Sequence, residues 1–231
     1  MLSTIDNTAI ADSRSIEPAI LYFGTPVVLI GSTNEDGSFN LAPMSSAWRV
    51  GWRCMLGLAR NSKTTENMIR TGECVLNLPS ADLVGAVNCL ARTTGSNPVP
   101  AGKIKRGYRH EKDKFEISGL TRLASETVAA PRAAECPVQI EAKVAHVHEM
   151  AQEDEVWRGN LVAIEVRVTR VHAHPAIMMD GQPNRIDPDK WRPLIMSFQQ
   201  FYGLMPTRLQ RSELAQIPET AYKPPGWRPA A

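Results

Sequence analysis

Residues 40–79 read NLAPMSSAWRVGWRCMLGLARNSKTTENMIRTGECVLNLP, and the reading of this stretch decides the fold. It divides into a strand ending at Met44, a loop of small residues, a strand over Arg53–Ala59, a polar turn, a short helix and a strand over Glu73–Leu78. Ser62 is placed as the helix N-cap, and Glu66 complements the positive end of the helix dipole. Gly72 stands just past the helix C-terminus, where a left-handed residue is favoured. Pro79 cannot donate to a ladder and stops the last strand.

Working upstream, Pro26–Ser32 is a short, β-branched, apolar strand. Asn34-Glu35-Asp36-Gly37 then turns the chain, with Gly37 accepting the positive φ of a hairpin, and Ser38–Met44 returns. Before it, Ser13–Leu21 predicts a short helix limited by Pro18. Downstream, Ala81–Ala91 predicts a helix with Leu83, Val84, Val87 and Leu90 on one apolar face. Val138–Met150 and Asn160–His172 are long β-type runs joined across the acidic turn Gln152–Glu155. In the second run Val162, Ile164, Val166 and Val168 alternate with polar residues, the mark of a half-buried strand. Asp187-Pro188 starts a helical turn. Residues 206–231, with Pro224-Pro225-Gly226 and Pro229, form an extended tail. Six to eight hairpin-linked strands with two or three short helices predict a mainly β protein built on an antiparallel barrel.

The totals bound the function. The chain has 231 residues, 43% of them apolar and 22% charged, which is ordinary for a globular protein. A net charge of +2 without a basic cluster argues against nucleic acid. No apolar run reaches the ~20 residues of a membrane helix, and the N-terminus has no signal-peptide pattern, so the expected location is the cytoplasm. Cys54, Cys74, Cys89 and Cys136 make no CxxC pair and are expected as free, buried thiols.

Three constellations carry chemistry. The turn Arg60-Asn61-Ser62-Lys63-Thr64-Thr65 offers a guanidinium, an ammonium, three hydroxyls and an amide at the start of a helix. The free N–H groups and dipole there favour an anion, and a terminal phosphate needs this mix of donors; ordinary capping beside a solvated Lys63 is the alternative. The loop Pro43-Met44-Ser45-Ser46-Ala47-Trp48 lets backbone approach a flat ring, which Trp48 or Trp52 would cover; a strand end beside a core tryptophan is the other reading. The pairs His146-Val147-His148 and His172-Ala173-His174 have chelating geometry on a strand but lack completing ligands, so exposed or hydrogen-bonded histidines are expected. The basic run Lys103–Lys112 reads either as a solvated loop or as one that reaches an anionic ligand or a nicotinamide nucleotide. GxxxxGK[ST], GxGxxG and GxSxG are all absent, which leaves room for a protein whose cofactor supplies the chemistry.

Taken in order, Thr25–Ile30, Asn40–Ser45, Ser62–Asn67, Thr71–Pro79, Asp113-Lys114-Phe115, Ala130–Pro137, Arg185–Pro188 and Phe201–Leu204 resemble the flavin reductase-like, FMN-binding split-barrel family, over about residues 20–205. The resemblance implies residues 1–20 as a lead-in, 21–205 as an FMN-binding split β-barrel, and a homodimer. It implies FMN held with Pro43, Met44, Ser45, Ser46, Ala47 and Trp48 at the ring. Arg60, Asn61, Ser62, Lys63, Thr64 and Thr65 would lie at the phosphate and ribityl chain, with Lys114 adding charge. It implies a reductase using NADH or NADPH to reduce bound FMN and then free flavin or another acceptor, without a catalytic side-chain acid or base. A flavoredoxin-like electron carrier and a non-catalytic flavin-binding protein are the alternatives. The partners implied are a flavin, a nicotinamide nucleotide, a second copy of the chain and a partner oxygenase. Ser96–Lys112 departs from the pattern as an insertion, and Gln152–Glu155 replaces a Gly-Asp-His type turn.

Overall fold

The structure, a computed structural model, describes residues 13–223. Residues 1–12 of the expected lead-in and 224–231 of the expected tail lie outside the described residues.

The alternating run sits at the centre of the molecule. It forms strand β12 (Leu161–Ala173), paired antiparallel with β11 (Val138–Glu149) and, on its other side, with β5 (Arg53–Ala59). Val162, Ile164 and Val166 are fully buried and Val168 is 5% exposed, so one face of β12 points into the core as the period-2 pattern requires. Beyond β11 lie β6 (Glu73–Leu78), β2 (Val28–Thr33) and β3 (Phe39–Met44); beyond β5 lies β4 (Ala47–Val50). The seven strands run in the order β3-β2-β6-β11-β12-β5-β4, and every neighbouring pair is antiparallel.

The two edge strands of this sheet, β3 and β4, are consecutive in the chain, separated only by Ser45 and Ser46. A sheet whose first and last strands are joined by two residues has to curl onto itself. Register shifts in β11 at Glu141/Ala142 and Val144/His146 supply bends in the longest ladder. The interior is filled by one apolar cluster drawn from five strands, including Val28, Leu56, Leu76, Ile140 and Ile164. β3 and β4 do not pair with each other, so the barrel is open along that seam.

Helix α1 (Lys63–Thr71) buries Met68 in the same interior. Ser62 caps it, its Oγ accepting from the Thr65 N–H, and Gly72 ends it at φ 72° with its N–H donated to Met68 O. Gly72→Ala forces a β-carbon into the left-handed region, and urea unfolding is expected to show a loss of about 1 kcal/mol.

β2 is buried on both faces. Val28 and Ile30 point into the barrel, while Val27 and Leu29 face outward beneath α2 (Val84–Leu90) and α4 (Lys114–Ser118). Val87, Leu90 and Phe115 complete this second cluster. A three-stranded sheet of β1 (Phe23–Pro26), β13 (Leu194–Ser197) and β14 (Gln200–Gly203) contributes Leu194 and Met196 to it.

Several local expectations change. Residues 13–22 form no helix, and Phe23–Pro26 pairs with β13 instead. Ala81–Leu83 is a 3-10 turn leading into α2, and the turn places Val84 outward, 37% exposed, so only Val87 and Leu90 of the predicted face are buried. Cys89 lies on the outer side of α2 and is exposed; the other three thiols are buried. Asp187-Pro188 closes a turn, with the Lys190 and Trp191 N–H groups donating to Asp187 O, and no helix follows. Residues 206–223 lie exposed, tied down by Arg208–Asp189 and Arg185–Glu219 ion pairs.

Candidate functional site

The open seam between β3 and β4 leads into a cleft of about 770 Å³. Its floor is β5, whose Cys54, Leu56 and Leu58 fill the barrel while Gly57 and Ala59 leave the opposite face nearly bare. A β-carbon on Gly57 would stand 3.2 Å from Ser46 Cβ. The Gly57 N–H donates to Ser46 O at 2.7 Å, which seats the serine loop directly over that bare strand. Glycine at 57 therefore lets the serine loop lie close against β5 at the edge of the cleft.

The loop and the turn meet in this cleft. Pro43, Met44 and Ser46 line one part of the wall, and Asn61, Ser62, Lys63 and Thr64 line another. Lys63 and Thr64 belong to the first turn of α1, whose N–H groups have no intrahelical acceptor. Lys114 reaches the same space from α4. The remaining predicted site residues lie off the cleft wall. Ser45 O accepts from the Ala47 N–H, and Ala47 packs on the barrel interior. Trp48 is on edge strand β4, 57% exposed. Trp52 packs against the barrel interior. Arg60 is ion-paired with Glu149. Thr65 is buried under the turn, its hydroxyl donating to Ala59 O at 2.8 Å and bonded to Ser62 Oγ at 2.9 Å.

The fold adds residues that local patterns do not mark. Asn40 donates to Thr64 Oγ1 at 3.0 Å, while its own Oδ1 is buried without a partner among the described residues. Gly95 lies so close that a β-carbon would be 2.8 Å from Asn40 Oδ1 and 2.9 Å from Lys63 Cγ. Met150 and Trp157, from the β11–β12 connection, stand at the mouth. Lys103, Arg106 and Tyr108 come from the insertion. That insertion is closed at its neck by a parallel pair, β7 (Thr93–Thr94) with β8 (Arg109–His110), which folds its middle back over the cleft. The signal was its basic composition; its direction depended on a pairing between residues 16 apart in the chain.

The electrostatics favour an anion. Lys63 is paired with Glu66 at 2.6 Å. Lys114 is 2% exposed, and its ammonium makes no hydrogen bond among the described residues. Burial, reinforced by Lys103 and opposed by Glu111, pushes Lys114 down to about 7. Lys103 is likewise lowered, by burial and by Arg106. An anion in the cleft would oppose both shifts and favour the charged lysines.

The histidine pairs serve other ends. His172 Nε2 lies 2.8 Å from Glu141 Oε1, His174 Nε2 lies 2.8 Å from Ala134 O, and the rings of His146 and His148 meet tilted by 49° with centroids 4.4 Å apart. Among the described residues no three His, Cys, Asp or Glu side chains gather as a metal site. No described helix is long and apolar enough to cross a membrane.

The residues present fit a flavin. Bare strand and small loop suit a planar ring, hydroxyls and first-turn N–H groups suit a phosphate, and among the described residues buried Asn40 Oδ1 and the Lys114 ammonium lack hydrogen-bond partners. Comparison with known proteins points the same way. Residues 20–187 match the model of the flavin reductase like domain. The chain is 38% identical over 191 residues to uncharacterized protein YdfE of Bacillus subtilis (strain 168), covering 83% of this chain and 89% of that protein. It superposes on flavoredoxin of Desulfovibrio vulgaris (Miyazaki F) with TM-score 0.70 at 20% identity, over 89% of this chain and 100% of the other. Nitrilotriacetate monooxygenase component B from Bacillus cereus superposes with TM-score 0.68 at 19% identity, over 87% and 100%. The antiparallel barrel with its open seam is thus the split barrel of these proteins, and the chain belongs to the flavin reductase-like domain family.

Proposed function

We propose that this protein is a flavin-dependent oxidoreductase that holds FMN in the cleft and acts as an NAD(P)H:flavin reductase. The observation that carries the reading is the convergence, in one cleft, of the Met44–Ser46 loop, the capped N-terminus of α1 and the buried ammonium of Lys114. The cleft volume lies in the range of small-ligand sites, about 300–1,000 Å³. When bound, the flavin would supply hydride chemistry, taking a hydride from NADH or NADPH and passing electrons to free flavin or another acceptor.

The chain's own part is binding and orientation. Asn61, Ser62, Lys63 and Thr64 would hold the phosphate, with Arg60 and Thr65 bracing the turn from outside and beneath. Pro43, Met44 and Ser46 would line the ring, the N–H groups of Met44 and Ser46 suiting negative charge on the reduced form, with Ser45 bracing the loop through its carbonyl's bond to the Ala47 N–H. Ala47 and Trp48 would frame that loop from β4. Trp48 and Val50, 57% and 67% exposed on the edge strand, suit burial against a second copy of the chain, so a homodimer is part of the proposal. A cytoplasmic location and a partner oxygenase complete it; the likeness to nitrilotriacetate monooxygenase component B supports the latter.

The purified protein is expected to show oxidised-flavin absorption bands that bleach under anaerobic NADH or NADPH. A colourless protein that takes up no FMN on titration sinks the proposal. The likeness to flavoredoxin favours a second reading, an electron carrier. Nicotinamide oxidation that is not stimulated by added free flavin identifies that case, and a yellow protein that never bleaches identifies a non-catalytic flavin binder.

A further inference from the structure

The cleft holds more positive charge than one flavin phosphate needs. Lys63, with the open N–H groups of α1, already forms a phosphate site on the turn. Lys103, Arg106 and Lys114 line the same cleft from the insertion and from α4. Lys103 Nζ donates to Thr94 Oγ1 at 2.9 Å and lies 5.9 Å from the centroid of the Tyr108 ring. Arg106 Cζ lies 5.6 Å from the same centroid. These contacts hold two cations on one aromatic ring within the cleft lining. Lys114, almost wholly buried, faces Lys103 and Glu111 and has no hydrogen-bond partner among the described residues.

Gathering three cations with only Glu111 and Glu66 as nearby carboxylates costs folding free energy unless an anion joins them. Beyond Lys63 and Gly95 lies a second hollow of about 340 Å³, bordered by Asn34, Asp36, Asn97, His110 and Glu111. Its three carboxylates, Glu35, Asp36 and Glu111, outnumber Lys63 and Lys112 on its wall, which disfavours phosphate but suits the hydroxyls and base of an uncharged nucleoside. A phosphate-rich linker would therefore lie on the lysines, with a nucleoside beyond it.

We propose that Lys103 and Lys114, flanked by Arg106, form a subsite for the second phosphate of a dinucleotide pyrophosphate. The site rests on the reading of the cleft as a flavin site. The pyrophosphate belongs either to a flavin dinucleotide or to the nicotinamide dinucleotide. Both present the same charged group to the same lysines.

The test compares wild type, Lys114→Met and Lys103→Met. Calorimetry on flavin-free protein with inorganic pyrophosphate and inorganic phosphate reads the subsite without any reaction. Wild type is expected to prefer pyrophosphate, and each variant to lose at least about tenfold of that affinity, the scale of one charged hydrogen bond. Titrations with FAD and FMN, and the KM for NADH, then identify the source. A loss of FAD affinity at least about tenfold larger than that of FMN assigns the site to a flavin dinucleotide. An unchanged FAD-to-FMN ratio with a comparable rise in KM for NADH assigns it to the nicotinamide dinucleotide. Equal losses for FMN and FAD with KM unmoved overturn the proposal, because the lysines then serve one flavin phosphate. Unaltered pyrophosphate binding in both variants also overturns it. Lys103 is only partly buried, so Lys103→Met keeps the test decisive if Lys114→Met fails to fold. A wild type that binds pyrophosphate through these lysines yet takes up no flavin refutes the flavin reading and leaves the anion subsite standing.

Discussion

Replacing Lys63 and Thr65 together by alanine is expected to weaken FMN binding by at least about tenfold, or about 1.4 kcal/mol. The two residues act on the same turn by different routes. Lys63 lines the cleft and brings the positive charge that a phosphate needs, partly balanced by Glu66 at 2.6 Å. Thr65 does not line the cleft. Its hydroxyl ties the turn to Ala59 O and to Ser62 Oγ, and its N–H is the one Ser62 caps. Its loss frees the donors that would face the phosphate from their fixed positions. Fluorescence titration with FMN measures the effect, and thermal melts check that the helix survives a weakened cap, worth about 1 kcal/mol. An FMN affinity equal to wild type would remove the phosphate assignment from this turn.

Glu141→Ala is expected to destabilise the protein by about 3–5 kcal/mol in urea unfolding, because it strips a fully buried carboxylate from the donors around it. Glu141 sits on β11, on the face opposite the barrel interior. It accepts from the Glu126 N–H at 2.9 Å, from the N–H and hydroxyl of Thr127, and lies 2.8 Å from His172 Nε2, with Arg132 Nε at 3.7 Å. Burial alone would push this carboxyl up. The hydrogen bonds from Thr127, Glu126 and His172 outweigh it and hold the carboxyl below its ordinary range. A depressed folded-state value means that the stabilisation is fully present above the unfolded carboxylate's pKa, near 4.5, and is lost as pH falls through the folded value. Wild-type stability should therefore fall on acidification below that point. Glu141→Gln should flatten this fall; an undiminished slope would show that other carboxylates govern it.

Legibility followed the range of the interaction. The strands Arg53–Ala59 and Glu73–Leu78 and the cap at Ser62 coincide with the sequence reading, because short apolar runs, capping hydroxyls and a left-handed glycine act over one to four residues. The face of β12 was readable because alternation reports burial directly. Val84 and Cys89 were misjudged because only Val87 and Leu90 of α2 are buried, while Val84 at its first turn and Cys89 on its opposite side face out. Phe23–Pro26 was missed because its partner is β13, some 170 residues on.

The site divides in the same way. Residue type singled out Pro43–Trp48 and Arg60–Thr65, each beside a plain alternative, a strand end with a core tryptophan and ordinary helix capping; the ring and phosphate roles came from the family resemblance. That Trp48 faces outward on an edge strand while Trp157 stands at the cleft mouth is set by strand order. Gly57 and Gly95 acquire meaning only from what a β-carbon would strike, namely Ser46, Asn40 and Lys63. Lys103, Arg106 and Tyr108 reach the cleft because Thr93–Thr94 pairs in parallel with Arg109–His110. The sequence by itself determined six of the barrel strands, the capped helix, the anion-friendly turn and the family resemblance. Only the tertiary structure decided that the turn, the serine loop, the insertion and Lys114 share one cleft, because that depends on a sheet closing through Ser45–Ser46 and leaving its seam unpaired.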